Sequence, residues 1–122
     1  MLIVAAVLLI LLAVFHSLVG ERLILQPINR ADNLPKIWNS RQATFRTIQA
    51  TWHLVSILWL GAAAQLLTMQ LYPALAMKSF LAVFGVIFGV LAVVPLVWNV
   101  GKHKTWIPFG LICALLLGEL FF

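Results

Sequence analysis

The residues best suited to chemistry in this chain are His16, His53 and His103. An imidazole can exchange a proton near neutral pH, ligate a metal or bind haem iron. Glu21, Arg22, Arg46, Gln49, Ser56 and Asn99 lie at similar depth near one end of the apolar segments. They can add a carboxylate, two guanidinium groups and neutral hydrogen-bonding groups. If the helices that carry them form one bundle, these groups converge on one polar pocket beneath a ring of tryptophans. Three His and a Glu could hold a metal, but no two His stand four apart or at any other local ligand spacing, so no metal site is assigned. Three uses fit the set: structural hydrogen bonding, a cofactor such as haem b or a metal ion, and a small polar ligand or proton route. The first is the favoured reading, because polar residues near helix ends commonly bond to one another or to backbone.

No catalytic residue is assigned. The chain has no P-loop, GxSxG, HExxH or CxxC, and spacing reveals no nucleophile–base pair. The lone Cys113 excludes an intrachain disulfide and reads as a small packing residue. A small multidrug exporter has a similar size, but the acid within its first helix is missing here. The quinone-reducing, disulfide-forming membrane proteins need paired cysteines, which are also missing.

The elements that position these groups are set by composition. Hydrophobic residues make up 64% of 122 positions and charged residues 9%, more apolar surface than a soluble domain of this size can hide. Apolar runs cover Leu2–Val19, Trp52–Tyr72, Ser79–Trp98 and Trp106–Phe122. A span needs about 17–25 residues, so three runs fit and the fourth is at the short end. The expectation is an all-α membrane protein: one domain over residues 1–122, four transmembrane helices in one bundle, and an interfacial segment between the first two. Seven of the eight Lys and Arg fall in two connections, Arg22 to Arg46 and Lys102 to Lys104, with only Lys78 opposite. The positive-inside rule then puts both connections in the cytoplasm and both termini outside. Trp38, Trp52, Trp98 and Trp106 map to the same interface. The net charge of +5 thus encodes topology, and no basic stripe for nucleic acid exists.

The long second helix, about Ser40 to Tyr72, organises the chain. Gln42, Arg46, Gln49, His53 and Ser56 recur along it at three- and four-residue steps and form a polar stripe. Asn39 followed by Gln42 fits a capping box. Before it, Gly20-Glu21-Arg22 is expected to end the first span. Leu23–Ser40 is expected to lie on the membrane surface, broken by Pro27 and Pro35, with a helix start at Asp32-Asn33. Ala13, His16, Ser17 and Gly20 share one face of the first helix, which turns His16 into the bundle. Gly85-x-x-x-Gly89 is a contact signal in the third run, favoured as contact within the bundle. Pro95 is expected to kink that helix. Thr105 can cap the fourth helix, where Gly110, Ala114 and Gly118 repeat every four residues as a close-contact face.

Gly20-Glu21-Arg22, Leu34-Pro35-Lys36-Ile37-Trp38, Arg46 and Thr51-Trp52-His53 together resemble small four-helix bacterial inner-membrane proteins of uncharacterised function. The resemblance covers about the first half of the chain and implies a bacterial cytoplasmic membrane but no activity. His16-x-x-x-Gly20-x-Arg22 is similar to the haem-ligand region in membrane anchors of succinate dehydrogenase. That similarity implies His16 as an axial haem ligand and Arg22 facing a propionate or quinone; separately, His53 is expected at a similar depth, where it could bind a haem iron from the opposite side. It departs from that family in span count and in lacking the upstream quinone serine. The functional expectation is a non-enzymatic membrane component acting by helix–helix association, as a homo-oligomer or a subunit of a membrane complex. The alternative is a haem-, metal- or quinone-binding bundle with a polar His pocket at the cytoplasmic end.

Overall fold

Hydrocarbon offers backbone N–H and C=O groups no partner, so apolar runs must satisfy themselves as helices. Every regular element of the computed structural model, which describes Met1–Phe122, is helical. Helix α1 (Leu2–Gly20) passes through a π turn (Glu21–Leu25) into the short α2 (Gln26–Arg30). The long α3 (Arg41–Leu71) follows. A 3-10 turn (Pro73–Leu75) leads into α4 (Ala76–Trp98), and α5 is Trp106–Phe121. Three stretches are long and apolar enough to cross a membrane: Leu2–Arg30, Arg41–Leu71 and Pro73–Trp98. Helix α5, at 16 residues, is a shorter apolar helix.

The long helices pack in chain order, α1 on α3, α3 on α4 and α4 on α5, with no comparable contact between non-consecutive ones. The four long helices therefore stand in a row with α3 second. Only 12 of 122 residues are buried, and apolar side chains such as Leu8, Leu11, Phe15, Leu111 and Leu115 face outward. This is how a protein with lipid as its solvent distributes its apolar residues.

Several local expectations are overturned. Gly20-Glu21-Arg22 does not end the first helix, which runs on to Arg30. Gln26 N–H donates to the Glu21 carbonyl five residues back, so one widened turn carries the chain to Pro27 without a break. No helix starts at Asp32-Asn33. Residues 31–40 form turns with one isolated bridge, Ile37 to Ser40. They fold against the start of α3, because Thr44 Oγ1 donates to the Pro35 carbonyl (2.6 Å) and accepts from Ile37 N–H (2.9 Å). Arg41 adds bonds to the Ala31 and Asn29 carbonyls. Ser40, not Asn39, caps α3, its hydroxyl accepting from Ala43 N–H. Asn39 is in the left-handed region at φ 60° and cannot serve as the cap.

The small residues of α4 meet α5 within the chain. A Cβ on Gly85 would lie 2.6 Å from Leu117 Cδ2, and one on Gly89 would lie 3.2 Å from Cys113 Sγ. Gly110 faces Ala92. The packed face of α5 is thus Gly110, Cys113 and Leu117. Ala114 is exposed and Gly118 has open space beside it, against the expectation for those two. Each four-residue step overshoots a 3.6-residue turn by about 40°, so a face read at fours drifts off the contact within two turns.

Candidate functional site

Helices α1 and α3 run side by side in antiparallel order, and their facing polar residues pair in register. Ser17 Oγ lies 2.6 Å from His53 Nδ1, and His16 Nδ1 lies 2.9 Å from Ser56 Oγ. Each helix thus offers one His and one Ser to the other. One turn further out, Glu21 collects the remaining donors. Its carboxylate meets His53 Nε2 at 3.0 Å, accepts from Gln49 Nε2 at 3.1 and 3.2 Å, and accepts from Gln26 Nε2. The π turn places Gln26 within reach of Glu21. A residue pair five apart is out of register in an ordinary α-helix.

Trp52 seals this interface. Its indole stacks on the His16 ring (centroids 4.4 Å apart, planes 3° apart), and Nε1–H donates to the His16 carbonyl at 3.0 Å. The indole can come this close because Gly20 has no side chain: a Cβ there would lie 2.5 Å from Trp52 Cε2 and closer still to Nε1. Trp59 meets the His16 ring edge-on at 5.0 Å.

For a neutral His53, one proton assignment satisfies the whole chain of bonds. His53 Nε2–H donates to the carboxylate, and the Ser17 hydroxyl donates to His53 Nδ1. A hydroxyl, an imidazole and a carboxylate in that order form a nucleophile–base pair, which the spacing did not reveal. Ser17, however, sits inside α1, where the neighbouring N–H groups are committed to helical bonds and form no oxyanion hole. The order therefore fixes one tautomer of His53 and holds an ionisable pair in place without supplying acyl-transfer machinery.

His53 also forms part of a second feature. Between α3, α4 and the start of α5 lies a cleft of about 330 Å³. Leu54, Ile57, Val90, Leu91, Val94 and Phe109 give it apolar walls, while Arg46, Thr47, Asn99, His103 and Thr105 surround its other end. Leu91 is thus half-buried on the cleft rather than lipid-facing. Arg46 donates to the Trp98 carbonyl at 3.0 Å. Asn99, the C-cap of α4, is 8% exposed and donates to Thr47 Oγ1 at 3.2 Å, but its Oδ1 has no partner. The amide orientation is fixed by Thr47, whose own hydroxyl proton is committed to the Ala43 carbonyl (2.9 Å).

The residues expected to converge therefore divide between two sides of α3. His16, Glu21, Gln49 and Ser56 join His53 on the α1 side. Arg46, Asn99 and His103 lie on the α4 side. Thr105 is the N-cap residue of α5, as expected, but its hydroxyl makes no cap bond and instead lies 2.7 Å from His103 Nδ1, and Trp38 meets the His103 ring edge-on at 5.7 Å. Arg22 is exposed and joins neither group. Ser17, Gln26, Trp52 and Thr47 have site roles that the sequence reading did not give them.

The arrangement does not fit a bis-histidine haem. Both nitrogens of His53 and one of His16 have protein partners, and Trp52 covers one face of His16. No group of three or more His, Cys, Asp or Glu is placed to hold a metal ion. No family model, curated protein or solved structure matches this chain.

Proposed function

We propose that this is a ligand-binding membrane protein of four spans, with both termini on the outer face of a bacterial inner membrane. Its ligand is a membrane-soluble amphiphile held in the cleft beside α3. One observation carries the reading: a cleft within the helix row is apolar along most of its length and polar at one end, with a fixed imidazole in its wall. Its volume is at the lower end of the range of about 300–1,000 Å³ usual for small-molecule sites. The Glu21 network supports the same reading. It holds His53 from behind in a defined tautomer, so the ring presents a constant surface to the cleft.

Filling the cleft tests this. Ala50 lines it, and Ala50→Trp is expected to displace the occupant. Wild type purified in mild detergent and extracted into organic solvent should release one amphiphile per chain by mass spectrometry, and the variant should release almost none. Equal yields from both proteins would sink the proposal. The topology has its own check. A reporter active only in the cytoplasm should work near Asn33 and His103 and be silent near Pro73 and after Phe122. The seven-to-one distribution of basic residues motivates that pattern.

A second reading, a non-enzymatic component that associates with a copy of itself or with a larger complex, draws on one observation. Ala114 is exposed and Gly118 has open space where a side chain would stand, so this stretch of α5 offers a small outward face.

A further inference from the structure

Most of the polar groups that line the cleft already have partners. The Thr47 hydroxyl donates to the Ala43 carbonyl, and the Thr51 hydroxyl donates to the Thr47 carbonyl at 2.8 Å. Asn99 is buried, with its amide N–H turned to Thr47. Ser17 and Glu21 occupy both ring nitrogens of His53, and Thr105 bonds one nitrogen of His103. The donors left are the Arg46 guanidinium, which commits one N–H to the Trp98 carbonyl, the indole N–H of Trp98 and the second nitrogen of His103. Arg46 is exposed and has no carboxylate of its own. The chain holds three acids, none of them lines the cleft, and its one ion pair joins Glu21 to His53. Lys102 adds a second cation in the adjoining hollow. A guanidinium donates and never accepts, so the polar end is matched by an anionic head. Leu54 and Ile57 on α3, with Val94 and Val90 on α4, carry the apolar walls away from that end. From Arg46 to Ile57 the wall runs roughly 16 Å along α3.

We infer that the cleft binds a single-chain amphiphile with an anionic head, the chemistry of a fatty-acid carboxylate. The carboxylate accepts from Arg46, and the alkyl chain follows the α3–α4 groove toward Ile57 and Val90. A cleft of about 330 Å³ suits one such chain and not the two of a phospholipid. This rests on the amphiphile reading above and narrows it. The competing account of Arg46 is a bilayer phosphate at the membrane surface, which makes no use of the cleft.

Four probes of equal chain length separate the terms when titrated into the delipidated protein by native mass spectrometry. Myristate has the anionic head on one chain, methyl myristate has no charge, tetradecyltrimethylammonium has the opposite charge, and dimyristoyl phosphatidylglycerol has an anionic head on two chains. Myristate should bind about tenfold more tightly than the ester or the cation, for one charge-assisted contact. It should also bind more tightly than the phospholipid. Arg46→Gln should bring myristate down to the level of the ester and leave the ester unchanged. Ala50→Trp should abolish the binding of myristate, and Val94→Trp fills the same cleft if the first variant does not fold. The wild-type series ranks the heads even if Arg46→Gln fails to fold. Phosphatidylglycerol binding as tightly as myristate, and lost on filling the cleft, would overturn the single chain. If ester and myristate bind equally and both are lost on filling the cleft, the amphiphile reading stands and the anionic head falls. If filling the cleft changes the binding of no probe, both readings fall.

Discussion

The α1–α3 and α4–α5 interfaces join antiparallel helices of one apolar chain by different physics. Between α4 and α5 there is no side-chain hydrogen bond. Gly85 and Gly89 admit Leu117 and Cys113, and the contact is one of close approach. Between α1 and α3 the helices exchange His–Ser pairs, and Glu21 gathers three further donors. In lipid the first kind of contact is the usual route to association, because the hydrophobic effect does not distinguish a neighbouring helix from an acyl chain. The second kind is costly unless every group is paired, and intramembrane polar residues are a default sign of function. In the function proposed above, α4–α5 is a packing contact and the two flanks of α3 serve binding.

The largest expected effect comes from the one place where the polar interface also depends on close approach. Gly20→Ala puts a methyl group into the Trp52 indole, which is fixed by its stack on His16 and its bond to the His16 carbonyl. Gly85→Ala meets Leu117 Cδ2 at 2.6 Å and Cγ at 2.9 Å, on a side chain that makes no hydrogen bond and can change rotamer. Overpacking costs about 1–3 kcal/mol. Gly20→Ala should lie at the top of that range and Gly85→Ala at the bottom, read as thermal denaturation in mild detergent. The reverse order would mean that the indole yields more readily than the leucine.

The next effect probes the cross-bonding itself. Ser17→Ala strands Nδ1 of His53, and Ser56→Ala strands Nδ1 of His16. Each should cost about 1 kcal/mol. A double-mutant cycle of Ser17→Ala with His53→Ala should return a coupling between about 0.6 and 1.7 kcal/mol, the mean and upper limit measured for such pairs in a membrane. A coupling near zero would remove the distinction between the two interfaces.

What was legible beforehand follows the same division. Helices, their number and their approximate limits follow from apolar runs longer than about 17 residues, because backbone in lipid has no other solution. The face that turns His16 inward was legible because Ala13, Ser17 and Gly20 flank it at helical spacing. The pairing was not. His16-Ser17 on α1 and His53-x-x-Ser56 on α3 contain the antiparallel match, but reading it requires the relative rotation of two helices, which no single helix encodes. The polar stripe of α3 was legible as a stripe, yet Gln49, His53 and Ser56 turn to α1 while Arg46 turns to Trp98. The continuation of the first helix past Gly20 was hidden by Pro27, because a π turn leaves no compositional trace. The unpaired oxygen of Asn99 was invisible for a related reason, since it depends on Thr47 already being committed to Ala43.

The smallest expected effect is also the one on which sequence and structure disagree most sharply. A four-residue repeat made Gly110, Ala114 and Gly118 one contact face, so Ala114→Leu should have split the helices. In the structure Ala114 is exposed and Cys113, one position earlier, points at Gly89. Cys113→Leu would overfill that notch and should cost about 1–3 kcal/mol. Ala114→Leu should fall within about 0.5 kcal/mol of wild type, the range usual for a substitution that touches nothing. Equal destabilisation by both would return α5 to the rotation read from its repeat and displace Cys113 from the contact. Particle mass in detergent separates a second way in which Ala114 could be felt. If Ala114→Leu lowers the mass of the purified particle while the thermal transition of the single chain stays in place, the small outward face of α5 is a contact between copies. The outward face of α5 would then carry association, apart from the cleft that α3 shares with α4 and the start of α5.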